Sequence, residues 1–152
     1  MTNQEIKIKL FSKCKDYISS HRERINMALS GIKNSLNDEG KSTVGDKHHT
    51  NRAMLQLERE NLSHQIVEVE KQEAILNKIS LEHLNEIAHL GSLVVTDHAN
   101  YFMSVSAGAI KIEGKTYYCV SLESPIGKLM LGRKLGEVAV FNDKKINILE
   151  IH

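Results

Sequence analysis

Apolar positions fall into two regimes along the chain. In residues 8–36 they recur as a single stripe, with Phe11, Cys14, Ile18, His21, Ile25, Ala28/Leu29, Ile32 and Leu36 at intervals alternating three and four. That spacing is the seam of a coiled coil, and no proline interrupts it. Gly31 weakens such a helix by roughly 1 kcal/mol relative to alanine without ending it. A second stripe begins near Asn51 and runs to about His89, with Leu55, Leu62, Val69 and Leu76 seven residues apart and Ile66 and Ile79 in support. Between the stripes, residues 37–52 read NDEGKSTVGDKHHTNR, with two glycines, three carboxylates and two adjacent histidines. Two seams of similar length joined by a polar connector pair as an antiparallel hairpin, roughly 45 Å long at 1.5 Å per residue. A narrow stripe with charged flanks suffices when two helices bury only each other. The pattern therefore predicts a hairpin over residues 1–89 that projects into solvent, with its tip at 37–52.

After Leu90-Gly91 the period shortens. Leu93-Val94-Val95, Tyr101 to Val105, Ile110-Lys111-Ile112, Thr116 to Val120, Val138 to Phe141 and Ile146 to Leu149 are short β-branched or aromatic runs. Turn signals at Asp97-His98-Ala99-Asn100, Glu113-Gly114-Lys115 and Asn142-Asp143 separate several of them. These runs predict a small, mostly antiparallel sheet over residues 90–152. Between the fourth and fifth runs, Ser124 followed by Pro125 reads as an N-cap with proline in the first turn, opening a short helix through about Leu131. Leu129, Met130 and Leu131 on that helix are the expected cover for one sheet face. The fold class is α+β, a long helical hairpin followed by a small sheet domain with one short helix.

Composition narrows the reading. The chain has 152 residues, 41% of them hydrophobic, as expected of a globular protein. No apolar run is long enough to span a membrane, and the N-terminal stretch lacks the form of a signal peptide, so a cytoplasmic location is expected. Cys14 and Cys119 lie in different predicted elements with no CxxC spacing, and read as reduced, packed thiols. The net charge of +1 argues against independent sequence-specific DNA binding, which needs a strong basic excess. Charge distribution says more than the total. Residues 1–36 hold seven lysines and arginines against three acids, whereas residues 53–87 hold three against seven. The predicted helices are oppositely charged partners, although each exposed pair adds at most about 1 kcal/mol.

The segment 124–137, SPIGKLMLGRKLGE, with the closing Ile148-Leu149-Glu150-Ile151, is similar to the C-terminal signature of the bacterial Gre transcription elongation factors (GreA/GreB family). It combines the cap, the helix, Gly132, Gly136 and a terminal strand in order. The resemblance covers most of the chain and implies an FKBP-like C-terminal domain behind a coiled-coil hairpin. It implies RNA polymerase as partner, with the C-terminal domain docked near the secondary channel and the hairpin tip brought to the catalytic centre, meeting the nascent RNA 3′ end indirectly. In the cleavage-promoting members, tip carboxylates help hold a second magnesium ion, which activates water to cut backtracked RNA. Such a factor is an accessory to the polymerase active site, with no catalysis and no metal of its own in isolation.

The family's tip motif runs Gly-Asp, two variable residues, Glu, Asn. Here Gly45-Asp46 matches, but His49 stands in place of the glutamate and Thr50 in place of the asparagine. Asp46 is either the auxiliary magnesium ligand that the resemblance implies or a solvated residue capping the second helix. Asp38 and Glu39 either approach from the other side of the tip or simply end the first helix. His48 and His49 read as part of a metal site, a pH-sensitive polymerase contact or tolerated polar residues. Lys128, Arg133 and Lys134 are the candidates for polymerase contact from the sheet domain. The readings left open are a cleavage-stimulating factor, a non-cleaving Gre homologue or Rnk-like regulator that inhibits polymerase, and an FKBP-like peptidyl-prolyl isomerase. The last needs an aromatic-lined pocket, and the sheet domain offers Tyr101, Phe102, Tyr117, Tyr118 and Phe141 for one, with no tryptophan.

Overall fold

A computed structural model describes residues 1–41, 45–82 and 85–152, and their side chains except those of 39–49. The chain is α+β. Two long helices, α1 (Asn3–Lys41) and α2 (Gly45–Lys78), precede strands β1 (Leu93–Thr96), β2 (Asn100–Ser104), β3 (Gly108–Ile112) and β4 (Lys115–Ser121). A short helix α3 (Pro125–Met130) then leads into β5 (Val138–Phe141) and β6 (Lys144–Ile151). All six apolar runs become strands. Among the described residues, no helix is long and apolar enough to cross a membrane.

Contacts divide the chain into two compact units, Met1–Tyr17 with Glu73–His152, and Ile18–Gln72. The start of α1 and the end of α2 fall in the unit that contains the sheet, so these units are drawn differently from the 89/90 boundary. α1 begins at a capping signal legible in Thr2-Asn3-Gln4-Glu5, where the Thr2 hydroxyl accepts a hydrogen bond from the Glu5 backbone N–H at 3.1 Å.

In the unit Ile18–Gln72 the seam behaves as the spacing predicts. Ile18, Ile25, Ile32 and Leu36 of α1 and Val69 of α2 are buried, while Leu55, Leu62 and Ile66 are half-buried. Arg22 reaches Glu70 at 4.0 Å, and Arg52 donates to the Leu36 carbonyl at 3.2 Å. Positions rise on one helix as they fall on the other, which is antiparallel pairing.

In the unit that contains the sheet, the strand order is β3-β4-β2-β1-β6-β5. Every neighbouring pair is antiparallel except β2 and β4, which run parallel. Two hairpins close through two-residue turns, Glu113-Gly114 and Asn142-Asp143, each with positive φ at both positions. That backbone matches the twist of the flanking strands. One face of the sheet carries the main core, where Val94, Met103, Ala139, Ile146, Ile148 and Ile151 pack with Ala88 and Met130. α3 covers it through Ile126, Leu129 and Met130.

The opposite face has a cover that the sequence pattern did not assign. Leu93 and Phe102 pair across β1 and β2, Phe102 stands opposite Cys119 in β4, and all three are buried. Leu10 and Cys14 of α1 are fully buried, and Cys14 Sγ lies 3.5 Å from Ser104 Oγ. Lys7, one helical turn earlier, is also buried; its ammonium donates to the Leu81 carbonyl at 3.0 Å, and burial pulls its pKa down.

The SPIG segment has a local reason for each residue. Ser124 caps α3 by accepting from the Gly127 N–H at 3.1 Å while its hydroxyl donates to the Ser121 carbonyl at 2.7 Å. Pro125 occupies the first turn, where no N–H is required. Gly127 lies so close to the β4 end that a Cβ there would collide with the Ser121 carbonyl. Further along, the backbone of residues 132–135 pairs with the segment entering the sheet: Ala88 N–H donates to Arg133 O at 2.8 Å, Gly132 N–H to Ala88 O at 2.8 Å, and Leu135 N–H to Glu86 O at 3.0 Å.

Replacing Gly127 with alanine forces α3 off the end of β4, and is expected to lower stability by about 1–3 kcal/mol in urea denaturation, a range typical of overpacking. A second expectation concerns Asp97, whose carboxylate accepts from the Asn147 backbone N–H at 2.8 Å and from Asn147 Nδ2 at 2.7 Å. Those bonds to the Asn147 side chain and backbone hold its pKa below the usual carboxylate value. A depressed folded-state pKa contributes stability that is full above the unfolded value and is lost as pH falls through the folded one. The stability difference between wild type and Asp97→Asn should therefore be constant near neutrality and shrink below about pH 4, as read by denaturation at a series of acid pH values.

Candidate functional site

Both helices run into the 37–52 stretch suggested by sequence as the tip. α1 continues to Lys41 and α2 begins at Gly45. No proline lies in this stretch to stop either helix, since the chain's single proline is Pro125. Asp38 is exposed in the last turns of α1. Gly45 is the first residue of α2, Asp46 the second, and His48 and His49 the fourth and fifth. These four therefore sit on the opening turns of a helix, not in a loop.

A carboxylate at the second position of a helix complements the partial positive charge of its N-terminus, so a local structural role suits Asp46. His48 and His49, adjacent in a helix, diverge by about 100° around the axis. The side chains of Glu39, Asp46, His48 and His49 lie outside the described residues. Among the described residues, no group of three His, Cys, Asp or Glu side chains is arranged to hold a metal ion.

Behind this end, the two helices enclose a groove. Lys33, Arg52 and Arg59 line it with Asn26, Ser30 and Asn37. Arg52 closes the groove's outer part by its bond to the Leu36 carbonyl. Sequence reasoning passed over Arg52 because it stands at the edge of the polar connector. Its half-burial at a position three residues before Leu55 marks it as part of the seam.

The sheet-domain candidates separate by role. Lys128 and Lys134 are exposed. Arg133 is engaged within the chain: its Nε donates to the Leu129 carbonyl at 2.9 Å, and its guanidinium lies 3.7 Å from the Glu137 carboxylate. A cation on the last carbonyls of α3 satisfies groups that the helix leaves open. The aromatic residues do not gather around one pocket. Phe102 and Tyr117 are buried on the α1 side of the sheet, Tyr101 and Phe141 pack on the α3 side, and Tyr118 is largely exposed beside Tyr101, with ring centroids 6.2 Å apart.

The chain matches no family model and no curated protein. Among solved structures it is similar to the GreA factor homolog 1 (Gfh1) protein of Thermus thermophilus, at 22% identity over 93% of this chain and 94% of that one, with a TM-score of 0.34. A second structure, of the transcription factor Gfh1, gives 17% identity over 93% and 92%, with a TM-score of 0.35. Scores of this size fall short of a common superposition and establish no shared activity.

Arg52→Met keeps an apolar stem in the seam but removes the bond to Leu36. The variant should lose about 1 kcal/mol and should show the loss as a lower helical melting temperature by circular dichroism.

Proposed function

We propose that this protein is a Gre-like transcription factor that binds RNA polymerase and presents the end of its α1–α2 hairpin to the polymerase active centre through the secondary channel. The observation that carries the reading is the 124–137 signature, which closes a six-stranded sheet unit in a chain whose other unit is an antiparallel helical hairpin. An accessory role suits this arrangement. A narrow hairpin with a polar end suits insertion into a confined, solvent-filled passage, and among the described residues the aromatic side chains of the sheet do not gather at one place as a prolyl-peptide pocket requires.

The chemistry of the hairpin end decides between stimulation and inhibition. Magnesium is a hard cation that takes oxygen ligands, and imidazole is a poor substitute. Asp46 supplies one carboxylate, and His49 takes the place of the second. This donor set does not fit an auxiliary magnesium site, so no hydrolytic step is assigned to it. The reading it favours is a factor that occupies the channel and slows or redirects polymerase without strong transcript cleavage. The protein would then hold no cofactor of its own and reach the RNA 3′ end only through the polymerase, with Lys128 and Lys134 as the exposed cations available for docking.

The test is a stalled, backtracked elongation complex of the cognate polymerase, scored for both RNA shortening and elongation rate. Slowed elongation with little cut RNA is expected, and Asp46→Ala should leave that slowing largely intact. Strong shortening that disappears in Asp46→Ala would instead establish a cleavage factor. Failure to bind polymerase at all would remove the proposal.

A further inference from the structure

On one side the sheet ends at β5, and among the described residues no strand pairs with its outer edge. Two observations fix which backbone groups face that edge. Asn142-Asp143 is a two-residue turn, so Phe141 and Lys144 close it as a hydrogen-bonded pair. Before the strand, the Ile148 N–H donates to the Glu137 carbonyl at 3.0 Å. Both place residues 137, 139 and 141 with their bonding groups toward β6. Alternation then turns the N–H and C=O of Val138 and Val140 outward.

The side chains of the same two residues are open to solvent, Val138 by 46% and Val140 by 58%. They share a face with Asn147 and Lys145, their partners in β6, while Ala139 between them points into the core under α3. Cover on the valine face does not extend to this end of the sheet. Leu93, Phe102 and Cys119 are buried there, but Lys145 and Asn147 are exposed. Edge strands are ordinarily guarded by a charge, above all lysine, or by proline. β5 reads Val-Ala-Val-Phe and carries neither, whereas β3 at the opposite edge carries Lys111.

We propose that β5 is an association surface for a second copy of this chain, whose own β5 pairs with it antiparallel about a two-fold axis at Ala139. Self-complementarity identifies the occupant. With Val138 opposite the second copy's Val140, and Val140 opposite its Val138, every outward N–H meets an outward C=O, and four hydrogen bonds form. The four valines adjoin on one face as cross-strand neighbours. Other registers do worse. Moved two residues one way, Val138 falls opposite Asn142 of the turn and Glu137 opposite Asp143, two like charges. Moved the other way, Val140 falls opposite Gly136, whose N–H is already given to the Ile148 carbonyl. A foreign extended peptide satisfies only the backbone; the matched valines are a property of β5 against itself.

Size sets the strength. β5 has four residues, and such a contact falls short of the roughly 1,200–2,000 Å² that stable interfaces bury. The dimer is therefore weak and forms at high protein concentration. The two-fold pairing occupies β5 in both copies, so assembly stops at two.

This surface is independent of polymerase binding, and the chain alone tests it. Sedimentation equilibrium from low-micromolar to near-millimolar concentration should show monomer passing to dimer, with no larger species. Over the same range, amide exchange read by NMR should slow at Val138 and Val140, about twofold when half of the chains are paired. It should stay unchanged at Ala139 and Phe141, which already bond to β6. Val138→Lys with Val140→Lys should remain monomeric, as should Val138→Glu with Val140→Glu. Mixed in equal amounts, the two double variants should associate, because each lysine then faces a glutamate. A wild-type chain that stays monomeric throughout overturns the proposal, whether or not β5 takes up a foreign peptide. So does a dimer that leaves the Val138 and Val140 amides unprotected, or one that both double variants preserve, since the contact then lies elsewhere. The wild-type measurements decide by themselves, so a variant that fails to fold does not shield the idea.

Discussion

A six-stranded sheet has two faces, and an apolar sheet face left in water is not stable. α3, six residues long, covers one of them. The other falls to the start of α1, and most of what distinguishes this chain follows from that assignment. It explains why the first 17 residues share a compact unit with the sheet. It also explains why Ile6, Leu10 and Cys14 are buried. α1 thus carries one apolar stripe with two kinds of partner, a sheet at its beginning and a helix along the rest.

That double use marks the limit of what periodicity reveals. The spacing of Ile18, Ile25 and Ile32 announces a helical seam, and the seam exists. The same spacing continues back to Cys14, where the partner is a sheet, because a helix presents the same stripe to either surface. No local signal links the first turns of α1 to the sheet face on which Cys14 meets Ser104. Strands and turns were more legible. Their signals are local, as in Asn142-Asp143 and Glu113-Gly114, where two successive positive φ values demand residues that tolerate them. The parallel pairing of β2 with β4 left no such mark, since it depends on β3 being set outside β4.

The proposed working end was legible in composition and less so in form. Residues 37–52 are polar and glycine-bearing, which resembles a loop, yet glycine alone costs a helix only about 1 kcal/mol. With long apolar stripes on either side, α1 continues through Lys41 and α2 begins at Gly45. The signature at 124–137 proved readable residue by residue. Ser124 caps, Pro125 starts, Gly127 admits close packing, and residues 132–135 hold the strand-like entry at 86–88. Arg133, which the charge pattern offers as a free cation, spends its guanidinium on Leu129 and Glu137.

The place of β6 in the sheet has a consequence for the order in which the molecule is made. β6 is the last strand in the chain but lies between β1 and β5, and Leu93 and His152 exchange both backbone hydrogen bonds at 2.9 Å. During synthesis, β1 has one side unpaired and β5 has no neighbour until residues 144–151 have emerged from the ribosome. The hairpin seam is built wholly from residues made before β1. Nascent chains therefore carry a complete seam beside an open strand edge, and the sheet closes in a late step that joins one of the first strands made to the last.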